Sequence, residues 1–185
     1  MRLSGLVFIL MMVALLYTNA AFALLEDGLV SAWTFDDGTA RDIYGANHGV
    51  IKGGVIPVDG KFTKAMNFDG AKGSYIEIPD SASLQQDRLT ISAWINVSTM
   101  VEHAAVFIKG PQVGWGANYM ARVLISGGND MTWGTCYGGT EGYFYTYGVI
   151  NRNGWYHVCL TADGTVATGY VNGNIPSSPQ ANPCE

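Results

Sequence analysis

Acidic side chains stand next to each other twice in this chain, at Glu26-Asp27 and at Asp36-Asp37. Two carboxylates share acid and base work only from one face, and neighbours along a strand point to opposite faces. Neither pair therefore makes a working dyad. Glu77 and Asp80 read as an outward strand residue and a turn residue. His48, His103 and His157 lie far apart without ligand spacing and read as surface or strand histidines. The sequence has no Gly-x-Ser-x-Gly elbow, no His-Glu-x-x-His and no phosphate-binding glycine loop. The expectation is a chain that is not an enzyme.

Binding chemistry is better represented. An aromatic face stacks on the apolar face of a sugar ring, and an amide hydrogen-bonds its hydroxyls. Gln112, Trp115, Asn118 and Tyr119 bring both types into one loop, where Trp115 stands between Gly114 and Gly116. Trp133, Tyr137, Tyr143, Tyr145 and Tyr147 form a second aromatic region. Its last three members share a face at period two, which suits either a ligand surface or cross-strand packing. Gln112, Trp115, Asn118, Tyr119, Trp133 and Tyr137 are the expected ligand contacts.

Asp36, Asp37 and Asp42 fall with Gly38, Thr39 and Gly45 in one turn-rich stretch. Oxygens of this kind suit calcium, with Asp36 and Asp42 as ligands of a structural ion. The same residues also make side-chain-to-backbone turn bonds, and the sequence leaves both readings standing.

The N-terminus bounds the compartment. Arg2 precedes an apolar run from Leu6 to Leu16, followed by the small residues Thr18 to Ala23. This is the pattern of a secretory signal peptide over residues 1–23, cleaved after Ala21-Phe22-Ala23. The apolar run is shorter than the roughly 20 residues a membrane span needs, so residues 24–185 are expected to be secreted as one domain, extracellular or at a cell surface, with no membrane span after cleavage. Oxidation is possible there, and Cys136 and Cys159 fall on separate expected strands, where they either form a disulfide or pack as small buried residues. Cys184 is left over. Asn96-Val97-Ser98 matches a glycosylation sequon. The formal net charge of −5, with no Lys/Arg cluster, excludes nucleic acid as a partner.

The elements that must position these residues are strands. Charged residues make up only 14% of the chain, which holds 24 glycines, and apolar residues recur at period two. Strands are expected at Leu29 to Asp36, Ala65 to Phe68, Tyr75 to Ile78, Leu89 to Val97, Ala105 to Lys109, Tyr119 to Ser126, Met131 to Tyr137, Tyr143 to Ile150, Tyr156 to Thr161 and Ala167 to Val171. Turns are marked by Asp69-Gly70, Gly127 to Asp130, Asp163-Gly164 and Asn172-Gly173. A helical turn is expected only within Ser81 to Arg88, and Ile175 to Glu185 reads as a loop or tail. In the clearest strand, Leu89, Ile91, Ala93, Ile95 and Val97 form a core-facing stripe, which turns Trp94 to the concave outer face or under a covering loop. About ten short strands give an all-β, two-sheet antiparallel sandwich, a jelly roll.

Four segments in order carry a resemblance. They are Gly28 to Asp36, then Ala65 to Gly70 with Tyr75 to Pro79, then Leu89 to Ile95, and finally Trp155 to Val158 with Asp163-Gly164 and Tyr170 to Gly173. Together they resemble the laminin-G-like, concanavalin-A-like jelly-roll family and cover most of residues 24–185. The resemblance implies this fold, a structural calcium in many relatives, and functions ranging from lectins and adhesion modules to glucanases. Glucanases of this fold are expected to carry Glu-x-Asp-x-Glu or Glu-x-Asp-x-x-Glu, with carboxyls about 5 to 5.5 Å apart, and neither spacing occurs here. The expected function is a secreted, non-catalytic carbohydrate-recognition or adhesion module whose partner is a glycan or an extracellular protein. The alternative is a structural or protein-interaction domain of a larger cell-surface protein. Relatives continue past the Asn-Gly hairpin into a strand like Ile-Asp-Glu-Val-Arg-Ile-Tyr, and its absence here is read as a fragment that would associate through open edges.

Overall fold

The computed structural model describes residues 27–86, 88–99, 101, 103–110, 119–124, 129–135, 143–146, 149–175 and 180–181. The chain divides into two compact units that meet in sequence between Leu84 and Gln85. All strand pairings in both units are antiparallel. No helix among the described residues is long and apolar enough to cross a membrane.

The N-terminal unit holds β1 (Val50–Lys52), β2 (Val55–Asp59), β3 (Lys64–Phe68) and β4 (Tyr75–Glu77), then a 3-10 turn at Ala82–Leu84. β1 pairs with β4, and β2 with β3. The sequence reading missed β1, which is only three residues long, and β2, because Pro57 cannot donate to a ladder and demotes any run that contains it. Among the described residues β2 pairs only with β3, so the missing donor breaks no second ladder.

The expected first strand, Leu29 to Asp36, is a correction: it joins no ladder among the described residues. Its backbone groups go elsewhere. The Ala32 amide donates to Asp42 Oδ1 at 3.0 Å, the Ala32 carbonyl accepts from Ile43 N at 2.8 Å, and Phe35 takes a positive φ of 63°. A side chain ten residues on has captured the donor that a neighbouring strand would use.

The C-terminal unit contains β5 (Leu89–Asn96), β6 (Ala104–Lys109), β7 (Tyr119–Leu124), β8 (Asp130–Thr135), β9 (Tyr143–Thr146), β10 (Trp155–Ala162), β11 (Val166–Val171) and β12 (Gln180–Ala181). They form two four-stranded sheets, ordered β12-β11-β10-β5 and β6-β7-β8-β9. Val149 and Ile150, expected in the same strand as Tyr143, lie in no strand, and their amides both donate to the Asn129 carbonyl at 2.9 Å. The stretch expected to be a tail contributes β12, which pairs with the start of β11.

Both sheets of this unit share one core, which makes it a sandwich. Val158 and Leu160 of β10 and Ala167 and Val171 of β11 pack with Ala121 and Val123 of β7 and Met131 and Trp133 of β8. Ile91, Ala93, Ile95 and Val97 pack against that cluster, as the alternation of β5 requires. Ile91→Ala removes three side-chain carbons from this stripe and is expected to cost about 2 to 4 kcal/mol, read by denaturant unfolding; a loss below about 1 kcal/mol would place Ile91 outside the core. Beyond β11, Asn172 (φ 50°) and Gly173 (φ 76°) form a two-residue turn, closed by mutual 3.0 Å bonds between Val171 and Asn174. Two successive positive φ values are what Asn-Gly supplies in a type I′ hairpin.

Candidate functional site

Strand alternation that sends Ile91, Ala93 and Ile95 inward must send their neighbours outward. Register then decides which outward residues meet. Trp94 lies opposite His157, Asn96 opposite Trp155, and Ser92 opposite Cys159, which lies opposite Tyr170 in turn. One face of the β5-β10-β11 sheet thus gathers two indoles, an imidazole, a phenol, an amide and a hydroxyl. Trp94 is 41% exposed, and Thr90, Ser92 and Asn96 are exposed with it. Trp155, His157, Cys159 and Tyr170 are half-buried. The Trp94 and His157 rings lie 5.2 Å apart between centroids and tilted by 55°, within the range of an aromatic contact.

The Asn-Gly turn braces this face. Asn172 Oδ1 accepts from the His157 amide at 2.9 Å, and the Asn172 amide donates to the His157 carbonyl at 2.8 Å. The backbone of His157 is held by β5 on one side and by the Asn172 turn on the other, so the ring against Trp94 sits on a rigid support.

The residues expected to contact a ligand are placed differently. Trp133 is 0% exposed, its Nε1–H donating to Thr146 Oγ1 at 3.2 Å. It is a core residue, because Gly169 of the opposing sheet leaves room for the indole. Tyr119 is half-buried and packs edge-on to Phe107 at 6.5 Å. Gln112, Trp115, Asn118 and Tyr137 lie outside the described residues, as do Tyr147, Cys136 and Cys184. Cys159 is unbridged, and burial pushes its thiol up.

Asp42 is 2% exposed and accepts four backbone amides. Ala32, Tyr44 and Gly45 donate to Oδ1 and Asn47 to Oδ2, at 2.9 to 3.1 Å. Burial raises the carboxyl's pKa, but the amides outweigh it and hold Asp42 well below the usual carboxylate range. Thr39 donates both its amide and its hydroxyl to Asp37 Oδ1, and the Thr63 hydroxyl donates to Asp36; each carboxyl is lowered by these bonds. Asp37 and Asp42 therefore make side-chain-to-backbone turn bonds, whereas Asp36 bonds Thr63, 27 residues further on. Oδ1 of Asp42 already accepts three N–H groups and Oδ2 one, and no group of three His, Cys, Asp or Glu converges among the described residues. Millimolar calcium is expected to leave the Tm unchanged; a rise of several degrees would show that a shell assembles.

Sequence reasoning marked Trp94 and missed its company. The same alternation applied to residues 155–161 puts Trp155, His157 and Cys159 on one face, but only the register between β5 and β10 brings that face beside Trp94.

Comparison with known proteins decides the family. The profile of the concanavalin A-like lectin/glucanases superfamily matches residues 69–182. The chain belongs to this superfamily. No curated protein matches the sequence. Among solved structures, this concanavalin A-like chain is similar to domain 4 of AbnA, a GH43 extracellular arabinanase from Geobacillus stearothermophilus, solved in complex with arabinotriose. The identity is 20%, the TM-score 0.65, and the match covers 83% of this chain and 75% of that one. It is also similar to the binding domain of Paraclostridial Mosquitocidal Protein 1, at 17% identity and a TM-score of 0.60, over 80% of this chain and 41% of that one. At these identities the likeness is one of concanavalin A-like fold. The first of these is a domain solved with arabinotriose, and the second is a binding domain.

Proposed function

We propose that the chain is a secreted, non-catalytic carbohydrate-recognition module that grips its glycan on the outer face of β5, β10 and β11. The observation that carries this reading is the juxtaposition of exposed Trp94 with His157, Trp155 and Asn96 on one braced sheet. Indole faces remove apolar sugar C–H surface from water, and the amide and hydroxyls beside them satisfy sugar hydroxyls. The arabinotriose bound by a domain of similar fold supports the ligand class. The signal-like N-terminus supports export. The lack of a carboxylate dyad supports a module that holds its glycan without cutting it. Trp115, with Gln112 and Asn118, is a second proposed contact, in the segment that precedes β7 in the sequence.

A glycan array of the mature protein tests the function, and Trp94→Ala tests the place. Binding is expected to at least one glycan class and to weaken about tenfold or more in Trp94→Ala, in line with the 1 to 3 kcal/mol that stacking on an aromatic contributes in other recognition. Binding to none of the glycans would contradict the function. Binding that Trp94→Ala spares and Trp115→Ala abolishes would move the site to the segment before β7.

A further inference from the structure

The carbohydrate face has a charge pattern of its own. None of the residues of β5, β10 and β11 is Asp, Glu, Lys or Arg. Among the described residues, the formal charges next to these strands lie in the flanking turns, with Arg88 and Asp163 at one end and Arg152 at the other. The second sheet differs, since Lys109, Arg122 and Asp130 all lie within its strands.

A carboxylated or sulfated glycan is held by Arg or Lys, whose N–H groups meet the anionic oxygens and replace their hydration. Docking such a glycan on β5, β10 and β11 would strip water from each anionic group with no Arg or Lys within these strands to receive it, which is costly. The chain's net charge of −5 adds a long-range repulsion. Asn96, Ser92, Thr90 and the Tyr170 hydroxyl instead provide what uncharged hydroxyls need, each able to donate and accept. The indoles beside them serve any sugar whose ring presents C–H bonds.

Resting on the carbohydrate reading, we infer that this face selects uncharged saccharides and excludes uronate-bearing and sulfated ones, with Trp94 and Trp155 as stacking residues and Ser92 and Asn96 as hydroxyl partners. Because no ion pair takes part, affinity should be independent of salt, whereas ion-paired recognition weakens as the Debye length shrinks.

The test uses the mature protein in affinity electrophoresis and calorimetry against neutral polysaccharides (arabinan, xylan, mannan, β-glucan) and anionic ones (polygalacturonate, heparin, hyaluronan) at 50 and 500 mM NaCl. Expected is binding to at least one neutral polymer, changed less than twofold by salt and weakened tenfold or more in Trp94→Ala. Ser92→Glu provides a second variant at an exposed position, where the fold has no cavity to lose. It sets an unpaired carboxylate in the centre of the face and is expected to weaken neutral binding about tenfold without lowering the Tm. Binding confined to the anionic polymers, or lost at 500 mM NaCl, would overturn the inference and leave the carbohydrate reading intact. Neutral binding that both variants spare would also overturn it, by removing this face from the site. Silence from every polymer, neutral and anionic, would overturn the inference together with the reading on which it rests.

Discussion

Gly169→Val is expected to lower the stability of the C-terminal unit by about 3 kcal/mol or more, at the upper end of what overpacking a core costs. Gly169 sits in the middle of β11 without a positive φ, so its backbone would accept a side chain. What forbids one is the neighbour across the core. A Cβ on Gly169 would lie 2.5 Å from Trp133 Cε2 and 2.7 Å from Cδ2 and Nε1. The indole is a rigid plate, fully buried and tied through Nε1 to Thr146, so it cannot turn aside. A Tm fall of about 10 °C is the expected reading for a chain of this size. Gly169→Ala should show a smaller loss, and shortening Trp133 to Leu in that background should recover part of it, a coupling that independent sites do not show. Full stability in Gly169→Val would mean that the two sheets do not meet at Trp133.

Asp42→Ala is the counterpart in the N-terminal unit. It orphans four backbone donors at once, those of Ala32, Tyr44, Gly45 and Asn47. One buried donor without a partner costs about 1 to 3 kcal/mol, so a total of about 3 kcal/mol or more is expected, with loss of the turn that binds Ala32 to Ile43. The same carboxylate sets an acid limit. Its folded pKa is depressed below the unfolded value of about 3.9, so its contribution is fully present above that value and fades as pH falls toward the folded one. Asp163 acts in the same direction, drawn down to about 2 by the amides of Val166 and Thr165 and the Thr165 hydroxyl. Wild-type stability should therefore decline below about pH 4. Asp42→Asn should be weaker at neutral pH and flatter across that range, since its amide cannot accept four N–H groups. Urea unfolding at pH 7, 4 and 3 reads both effects, and parallel pH profiles for wild type and Asp42→Asn would remove Asp42 from the account.

Much of the fold was legible because its strands are half-buried and alternate cleanly. β5 is the clearest case: Leu89, Ile91, Ala93 and Ile95 face inward as their spacing demands, which fixes Trp94 outward. The same signal misled at Leu29 to Asp36, where the alternation is present but Asp42 claims the Ala32 amide. Alternation records which side could be buried; it carries no information on where the backbone donors go. β2 was hidden by Pro57, which is harmful in a central strand and harmless in one that pairs on a single side.

The site was less legible, for a reason that Trp133 and Trp94 illustrate. Both are tryptophans inside strands. Trp133 is core because a glycine far along the chain, Gly169, lies across from it; Trp94 is surface because the inward positions of β5 are already apolar. Which aromatics gather into one face depends on register between strands separated by the whole second sheet, and no local window of sequence holds that register. Trp155 and His157 became site residues only through their pairing with Asn96 and Trp94.

The five tryptophans also provide the most direct measurement. Trp33 donates its Nε1–H to the Asn47 carbonyl, Trp133 donates to Thr146, Trp94 and Trp155 share the outer face of the β5-β10-β11 sheet, and Trp115 precedes β7 in the sequence, outside the described residues. Each indole N–H gives one resolved nuclear magnetic resonance signal, assignable by single Trp→Phe substitutions. Titrating the isotope-labelled mature protein with an oligosaccharide of the neutral polymer it binds should shift the Trp94 and Trp155 signals together, with one affinity, and leave those of Trp33 and Trp133 in place. Shifts confined to Trp115, or saturation with no change at Trp94 and Trp155, would show that the glycan is held somewhere other than the sheet face.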